Sequence, residues 1–449
     1  MEKKSNKLNL FTLVCIAVGN VVGAGIITTT GLAIAQTGRS VWISYGLAVL
    51  CGFLWLYPVI VFSSCARYRG GAYAQASVLM GRLAGGIYSL MWLPMFLMMG
   101  MMASGLGLYI HSVVPSIPAA AAGIAAITLF YTFNLLGVGS MSKLQNPMTV
   151  FLLLCLLAFA FVGFGKVDSE ALAVTSPSYY LNGGIGLIDG IMLLVYSTSG
   201  HSLVTAMSWD AKDPKKNIPK AIIISTGVIL VLYCTVSFVA GNVLPVEQVA
   251  GQPLTYVAKV LFPGPLFIVF IIGGPIMALA TSTNAGFATL CAPAMGAIKN
   301  GWLPAGIART NKNGAPWILY TIMYLISVLP LMCGVSLSAL TAYNVMTQRA
   351  CSIILLISAF RLPTVLKEQW EKSWMHMPNA VYYGICTLSL VTNVIALILN
   401  VRTLNVSAFV LNLTVAGILA LVAVIRFKQG KIANTKITIS YADDDSDEE

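Results

Sequence analysis

About twelve apolar segments, each long enough to cross a lipid bilayer, follow one another through this 449-residue chain. A membrane-spanning helix needs roughly 20 apolar residues. The segments are centred near residues 22, 53, 97, 127, 156, 195, 231, 278, 325, 347, 389 and 415. Because 58% of the residues are hydrophobic and only 9% are charged, the composition excludes a soluble enzyme. We therefore predict an all-α polytopic membrane protein whose surroundings are the lipid bilayer.

Lysine and arginine are distributed unevenly between the loops on the two sides of the membrane. One set of loops contains Arg39, Lys166, Lys259 and Arg402, whereas the other set contains most of the remaining basic residues. Cytoplasmic loops are enriched in Lys and Arg. We therefore predict a multi-pass protein of the cell membrane with both termini in the cytoplasm. The net charge of +11 follows from this distribution, and we predict no nucleic-acid partner.

The first apolar segment, from about Leu10 to Ala33, contains glycines at positions 19, 23 and 25. Glycine weakens a helix interior by about 1 kcal/mol relative to alanine, so these residues predict a break near the middle of the membrane. The N–H groups after such a break would form a positive helix end suited to a carboxylate, and the carbonyls before it would suit an ammonium group. The alternative is a Gly-x-x-x-Gly face that lets two helices pack closely.

The sixth apolar segment contains a second interruption, from Tyr196 to Ser202, where several polar residues and a glycine follow one another. The first and sixth segments each begin a group of five. Interrupted helices at corresponding positions of two halves are typical of inverted-repeat transporters that bind their substrate at the bilayer midplane. This pairing favours the broken-helix interpretation of both segments.

Four short motifs occur in chain order, one at the first interruption and three in loops. They are residues 19–27 (GNVVGAGII), 69–73 (RGGAY) with Gly81, 213–221 (DPKKNIPKA), and 300–304 (NGWLP) with 311–316 (NKNGAP). Together they resemble the motifs of the amino acid–polyamine–organocation (APC) superfamily of transporters. The resemblance is most pronounced to bacterial amino acid antiporters of the arginine/agmatine type.

The resemblance implies a leucine-transporter-type fold with a five-plus-five inverted repeat, broken helices 1 and 6, and two added helices. We accordingly divide the chain into a cytoplasmic N-terminus (1–9), two five-helix repeats (10–166 and 184–360), helices 11 and 12 (378–427) and a cytoplasmic acidic tail (428–449). The acidic run at 443–449 has no apolar partner, which predicts a disordered, solvated end.

The resemblance also indicates which residues would bind the substrate around the two interruptions. Those at the first interruption are Asn20, Gly23, Ala24, Gly25 and Ile26, of which the last three would bind a carboxylate through backbone N–H groups. Those in the unwound part of the sixth segment are Thr198, Ser199 and Gly200.

Aromatic and sulfur-containing side chains would complete the pocket. Tyr196 and Phe287 fall where the family carries aromatic residues over the substrate, although aromatic residues also pack in helix bundles without such a role. Met95 and Met99 stand where the arginine antiporters are more polar, and Ser202 replaces an acidic residue. A polarizable lining of this kind favours a neutral substrate, the alternative being that both methionines belong to the core.

Three residues are candidates for gating or coupling. Buried charges in membranes usually face a cavity, which makes Arg349 a possible counter-charge or gate on a polar helix side shared with Asn344. His201 could titrate near neutral pH or serve as a structural histidine. Ser282 and its neighbours could ligate Na⁺, but hydroxyl groups in membrane helices commonly bond their own backbone.

These observations predict a secondary active transporter of neutral amino acids that works by alternating access, most simply as a Na⁺-independent exchanger. The alternatives are a basic amino acid or polyamine antiporter and a proton-coupled symporter. An intramembrane enzyme is disfavoured because the three His and the dispersed acidic residues form no catalytic or metal-ligating pattern. We predict an amino acid or amine substrate, no cofactor, no metal, and a monomer or homodimer.

Overall fold

The computed structural model describes residues 7–168, 173–335, 337–403, 406–430, 432 and 437–441. At residues 24, 337–343, 345, 402, 403, 407 and 408 the description covers the backbone alone. The fold is mostly helical. The helices are α1 (Leu10–Val21), α2 (Ala24–Thr37), α3 (Val41–Cys65), α4 (Ala72–Met80), α5 (Arg82–Trp92), α6 (Leu97–Val113), α7 (Ala119–Leu135), α8 (Val138–Phe164), α9 (Gly183–Ser197), α10 (Pro214–Asn242), α11 (Val246–Val249), α12 (Leu254–Leu261), α13 (Pro265–Ile271), α14 (Met277–Lys299), α15 (Trp317–Met332), α16 (Leu337–Ala359), α17 (Leu362–Val365), α18 (Lys367–Lys372), α19 (Asn379–Thr403) and α20 (Val406–Lys428).

Eight helical stretches in the described part of the chain are long and apolar enough to cross a membrane, and four shorter apolar helices accompany them. The predicted centre near residue 22 falls in the gap between α1 and α2, while the other predicted centres fall inside these helices. The architecture is therefore that of a polytopic membrane protein. The five-plus-five repeat stays a prediction.

The first apolar segment is interrupted between α1 and α2. The N–H group of Val22 still reaches Val18 O at 2.8 Å, but Gly23 leaves the helical region with φ −116° and ψ −147°. A new helix then begins at Ala24 without a side-chain cap. The N–H groups of the first turn of α2 therefore lack the partner that a capping residue would give them.

The sixth apolar segment is interrupted after α9, and a 3-10 turn at His201–Met207 follows. Gly200 adopts φ +140°, a conformation that residues with a Cβ rarely reach. A Cβ at this position would also lie 2.6 Å from the carbonyl oxygen of Asn20. Both the positive φ and the short distance to Asn20 therefore require glycine at position 200. The backbone of Gly200 lies against the first interruption.

Both described ends of the chain pack against loops at the same face of the helix bundle. Near the N-terminus, Leu8 exchanges backbone hydrogen bonds with Asp210 (2.8 Å) and Lys212 (2.9 Å). Near the C-terminus, strand β2 (Ile439–Ser440) pairs antiparallel with β1 (Arg67–Tyr68). The sequence did not predict this pairing within the 428–449 tail. The acidic run at 443–449 lies outside the described residues.

A tryptophan between two arginines ties the loop after the 3-10 turn to this face. The guanidinium carbons of Arg67 and Arg69 each lie 4.5 Å from the centre of the Trp209 ring. Arg67 also donates to Trp209 O at 2.7 Å. Burial raises the pKa of the neighbouring Asp210 carboxyl, and the positive charges of Arg69 and Arg67 oppose that shift. The loop is thus held by stacking and by charge together.

We expect Gly25→Ala to destabilise the protein, because a Cβ at Gly25 would lie 2.3 Å from Ser197 Cβ and 2.9 Å from Ser197 Cα. Overpacking of this kind costs about 1–3 kcal/mol. Melting of the detergent-purified protein should show a lower transition temperature, and Gly25→Val should lower it further. Gly139→Ala is the matched control, since nothing lies within 4 Å of the added Cβ. Equal melting of Gly25→Ala and wild type would contradict the close contact of α2 with α9.

Candidate functional site

The two interruptions meet at the start of α2. Gly25 packs directly on Ser197, the last residue of α9, and the absence of a side chain at Gly25 permits that approach. Ile26 is fully buried, and the side chain of Ala24 is outside the described set. The positive end of α2 is therefore held against the end of α9, with its first-turn N–H groups at the junction.

One tyrosine joins the broken ends of both helices. Tyr233 Oη lies 3.2 Å from Val21 O at the end of α1 and 3.4 Å from Ser197 O at the end of α9. Its ring packs edge-on against Tyr45, whose hydroxyl lies 2.8 Å from Thr30 Oγ1. Tyr233 was not predicted from the sequence, because a tyrosine within a long apolar segment such as α10 carries no local signal of this role.

The carbonyl of Gly19, just before the first interruption, is also occupied. Ser282 Oγ donates to Gly19 O at 2.7 Å. A Cβ at Gly23 would lie 3.0 Å from the same hydroxyl oxygen. Asn20 is buried, and its Nδ2 has no hydrogen-bond partner among the described residues. The predicted contact of Asn20 with the substrate stays a prediction.

A buried polar network lies behind α1. Asn284 Nδ2 donates to Gln145 Oε1 at 2.8 Å, and Thr149 Oγ1 donates to Cys15 O at 3.2 Å. Asn134 Nδ2 extends the network to Asn284 O at 3.1 Å. Satisfied networks of this kind fix one arrangement of packed helices. Asn134 was not predicted, because its partners come from distant helices.

A cavity lies beside the second interruption, on the side of the bundle where Gly71 and Ala72 follow β1. It is lined by parts of α3, α5, α14 and α16, by the start of α4 and by the stretch that follows α9. The space open to the centres of water molecules is about 70 Å³. Of the sequence-predicted site residues, Ser199, Gly200, Ser202 and Arg349 line it. The side concerned is the one predicted to be cytoplasmic.

Arg349 contributes a charge to this cavity although its side chain is only 3% exposed. Its guanidinium carbon lies 4.4 Å from the centre of the Trp55 ring, and Trp55 Nε1 donates to Thr392 Oγ1 at 2.8 Å. Neither Nε nor Nη2 of Arg349 has a hydrogen-bond partner among the described residues. Asn344, predicted on the same side of this helix, is buried and is not among the residues that line the cavity.

The other polar residues near the second interruption differ in whether they are hydrogen-bonded. Thr198 Oγ1 donates to Val195 O at 3.1 Å, and Ser199 Oγ donates to the same oxygen at 2.7 Å. The hydroxyl of Tyr196 is buried without a partner among the described residues. His201 is 2% exposed, and neither of its ring nitrogens has a partner there. The gating roles of Tyr196 and His201 stay predictions.

Met95, Met99 and Phe287 lie in the apolar core and are not among the residues that line the cavity. A Cβ at Gly286 would lie 2.5 Å from Met99 Sδ, which shows how closely α6 approaches α14. The ring of Phe287 packs 5.8 Å from that of Tyr320. The contact of Met95, Met99 and Phe287 with substrate therefore stays a prediction. In this structure the three side chains pack in the apolar core.

Comparison with known proteins identifies the family. The family model described as amino acid permease matches residues 8–425. The chain is 25% identical over 437 residues to the aromatic amino acid permease FywP of Lactococcus lactis, covering 89% of this chain and 92% of that protein. It is 26% identical over 268 residues to the branched-chain amino acid permease BcaP of Bacillus subtilis, covering 55% and 56%.

The names of these relatives span several substrates. Cationic amino acid transporter 7 of Arabidopsis thaliana is 25% identical over 274 residues, which cover 56% of this chain and 47% of that protein. The relatives indicate a transporter rather than an enzyme, while similarity to arginine/agmatine antiporters in particular stays a prediction. With its interrupted helices, its apolar spans and a family match over nearly its whole length, the chain belongs to the amino acid permease family.

Proposed function

We propose that this protein exchanges neutral amino acids across the cell membrane by alternating access, without Na⁺. The observation that carries the proposal is the contact between the two interrupted helices. The uncapped start of α2 meets the end of α9 there, beside a cavity. Interrupted helices bind a carboxylate and an ammonium group with backbone dipoles, and alternating access moves packed helices around such a site.

Alternating access requires one pathway to be closed while the other is open, and the packing fits that requirement. The half of α2 away from the cavity is tied by Gly251 N, which donates to Gly31 O at 2.7 Å. Beyond it, Arg39 pairs with Asp168 at 2.9 Å. The cavity lies on the other side of the interruptions, where Gly71 and Ala72 follow β1. This arrangement supports an inward-directed state of the exchanger.

The lining of the cavity supports a neutral substrate. No Asp or Glu is present among its described lining residues, and Arg349 supplies a positive charge. A second positive charge on the substrate would lose its hydration and gain at most a cation–π contact of about 0.5–2 kcal/mol. An unpaired buried charge costs more than that. Neutral side chains therefore fit this pocket better than guanidinium or a second ammonium.

Independence from Na⁺ is supported by the hydroxyl groups of α14. Ser282 Oγ donates to Gly19 O at 2.7 Å and lies 3.1 Å from Ala278 O. Thr283 Oγ1 donates to Leu279 O at 2.7 Å. Gly19 O, a carbonyl that could ligate Na⁺, is thus already occupied by Ser282, and both hydroxyl groups direct their protons to carbonyl oxygens.

In proteoliposomes, uptake of labelled leucine should be stimulated several-fold by unlabelled leucine inside, because an exchanger returns to the outward state loaded. Empty liposomes and liposomes without internal substrate are the controls. Uptake that is equally fast without internal amino acid would contradict exchange. A channel would differ again, since uptake would stay linear in concentration without saturation.

Competition against leucine uptake should rank leucine, methionine, phenylalanine, alanine and serine above arginine, lysine and their amines. The reason is the electrostatic one given above, since a dibasic substrate would bring a second positive charge beside Arg349. Stronger inhibition by arginine or agmatine than by any neutral amino acid would contradict the neutral-substrate proposal and favour the antiporter alternative.

Replacing external Na⁺ with choline should leave the initial rate of uptake unchanged. The pH and the membrane potential are held constant, so that Na⁺ is the only variable that changes. A rate that falls steeply as Na⁺ is removed would mean that the hydroxyl groups of α14 exchange their present partners for the ion, and the proposed independence from Na⁺ would be wrong.

A further inference from the structure

The guanidinium group of Arg349 is a buried charge for which the cavity supplies no counter-ion. Its side chain is 3% exposed, and no Asp or Glu is present among the described residues that line the cavity. A buried charge that remains unpaired is destabilising, and such charges in membrane proteins are usually paired or functional. A ligand that enters the cavity is therefore a suitable source of the missing negative charge.

The two unpartnered donors identify the shape of that ligand. Nε–H and Nη2–H project in parallel from one edge of the planar guanidinium, and in Arg349 these are the two donor nitrogens without partners among the described residues. Two parallel N–H groups match the two oxygens of a carboxylate in a bidentate pair. The geometry thus suits a carboxylate better than a single-atom anion.

The surroundings hold the guanidinium in place for such a contact. The Trp55 ring lies 4.4 Å from Arg349 Cζ and covers one face of the planar group. Trp55 is itself fixed through its hydrogen bond to Thr392 on α19. A guanidinium whose face is covered by a ring makes its hydrogen bonds from its edge, and the two unpartnered donors on this edge are buried. The ring fixes the orientation of the guanidinium, and a ligand carboxylate would reach its two buried donors once the groups that cover them move.

This position differs from the carboxylate site proposed at the start of α2. No residue of α1 or α2 is among the described residues that line the cavity. The first turn of α2 lies against α9 instead, with a Cβ at Gly25 only 2.3 Å from Ser197 Cβ. A substrate inside the cavity would thus present its carboxylate to Arg349 and not to α2.

We propose that Arg349 forms a second carboxylate-binding position, which takes the α-carboxylate of the amino acid when it lies in the cavity on the predicted cytoplasmic side. The inference rests on the proposed function, because it assumes an amino acid substrate. The apolar wall formed by Trp55, Leu56 and Val59 would face the substrate side chain. Ser199 and Ser202, which also line the cavity, offer hydroxyl oxygens to its ammonium group.

The test compares leucine with leucinamide, which keeps the side chain and the ammonium group but lacks the carboxylate. Binding to the purified full-length protein is measured by calorimetry for wild type, Arg349→Met and Arg349→Lys. Loss of a bidentate charged pair should weaken leucine binding by about tenfold to a hundredfold in Arg349→Met and leave leucinamide unchanged. The affinity of Arg349→Lys for leucine should lie between those of wild type and Arg349→Met, because Lys keeps the positive charge but lacks the two parallel N–H donors.

Arg426→Met is the matched control. Arg426 lies on α20 and donates to Gly301 O at 3.2 Å, and it is not among the residues lining the cavity. Its replacement should change neither affinity. Ligand-free Arg349→Met should melt no lower than wild type, because it removes an unpaired charge. A lower melting temperature together with equal losses of affinity for leucine and leucinamide would show a structural role and overturn the proposal. If Arg349→Met does not fold, the same comparison is made with Arg349→Lys.

The outcomes separate this inference from the proposed function. Leucine binding that is normal in Arg349→Met would overturn the second position alone, whereas a wild type that binds no neutral amino acid would overturn both. Glutamate is the third ligand, since the same fork could take a side-chain carboxylate. Tighter binding of glutamate than of leucine, lost in Arg349→Met, would overturn the assignment to the α-carboxylate.

Discussion

Backbone groups released by a broken helix must find partners inside the membrane, and the rest of this structure depends on how that requirement is met. Ser282 donates to Gly19 O before the first interruption, and Tyr233 lies within hydrogen-bond distance of the last carbonyls of α1 and α9. Gly25 and Gly200 remove the side chains that would keep the two interruptions apart. The first-turn N–H groups of α2 have no side-chain cap, which leaves them suited to a ligand carboxylate.

Charge organises the neighbouring cavity in the same way. Arg349 is buried against Trp55, and the cavity wall provides no acidic side chain among the described residues. In a low-dielectric site an unpaired cation favours an anionic group and disfavours a second cation. A zwitterionic amino acid brings a carboxylate for the guanidinium and adds no net charge, whereas a dibasic amino acid would add one. The interrupted helices and the positive charge of Arg349 in the cavity are therefore both compatible with the proposed neutral amino acid substrate.

The sequence was informative where a residue acts through its own conformation. The glycines of the first segment predicted an interruption, and the gap between α1 and α2 lies among them because a glycine-rich stretch weakens any helix in which it occurs. The predicted contact of Met95, Met99 and Phe287 with substrate stays a prediction, and in this structure all three pack in the apolar core. Periodicity places a residue on one side of a helix but does not identify the helix that will cover that side.

The sequence by itself determined the local properties of the chain. These are the lengths of the apolar segments, the interruptions in the first and sixth segments, and the uneven distribution of Lys and Arg between the loops. Tertiary structure decided which groups meet. Tyr233 on α10 lies within hydrogen-bond distance of the carbonyls that end α1 and α9. Ile439–Ser440 pairs with Arg67–Tyr68, which lie far away in the sequence. It also left Nε and Nη2 of Arg349 without hydrogen-bond partners among the described residues, with the guanidinium against Trp55. Such contacts depend on helix packing between residues far apart in the sequence, and no local pattern encodes them.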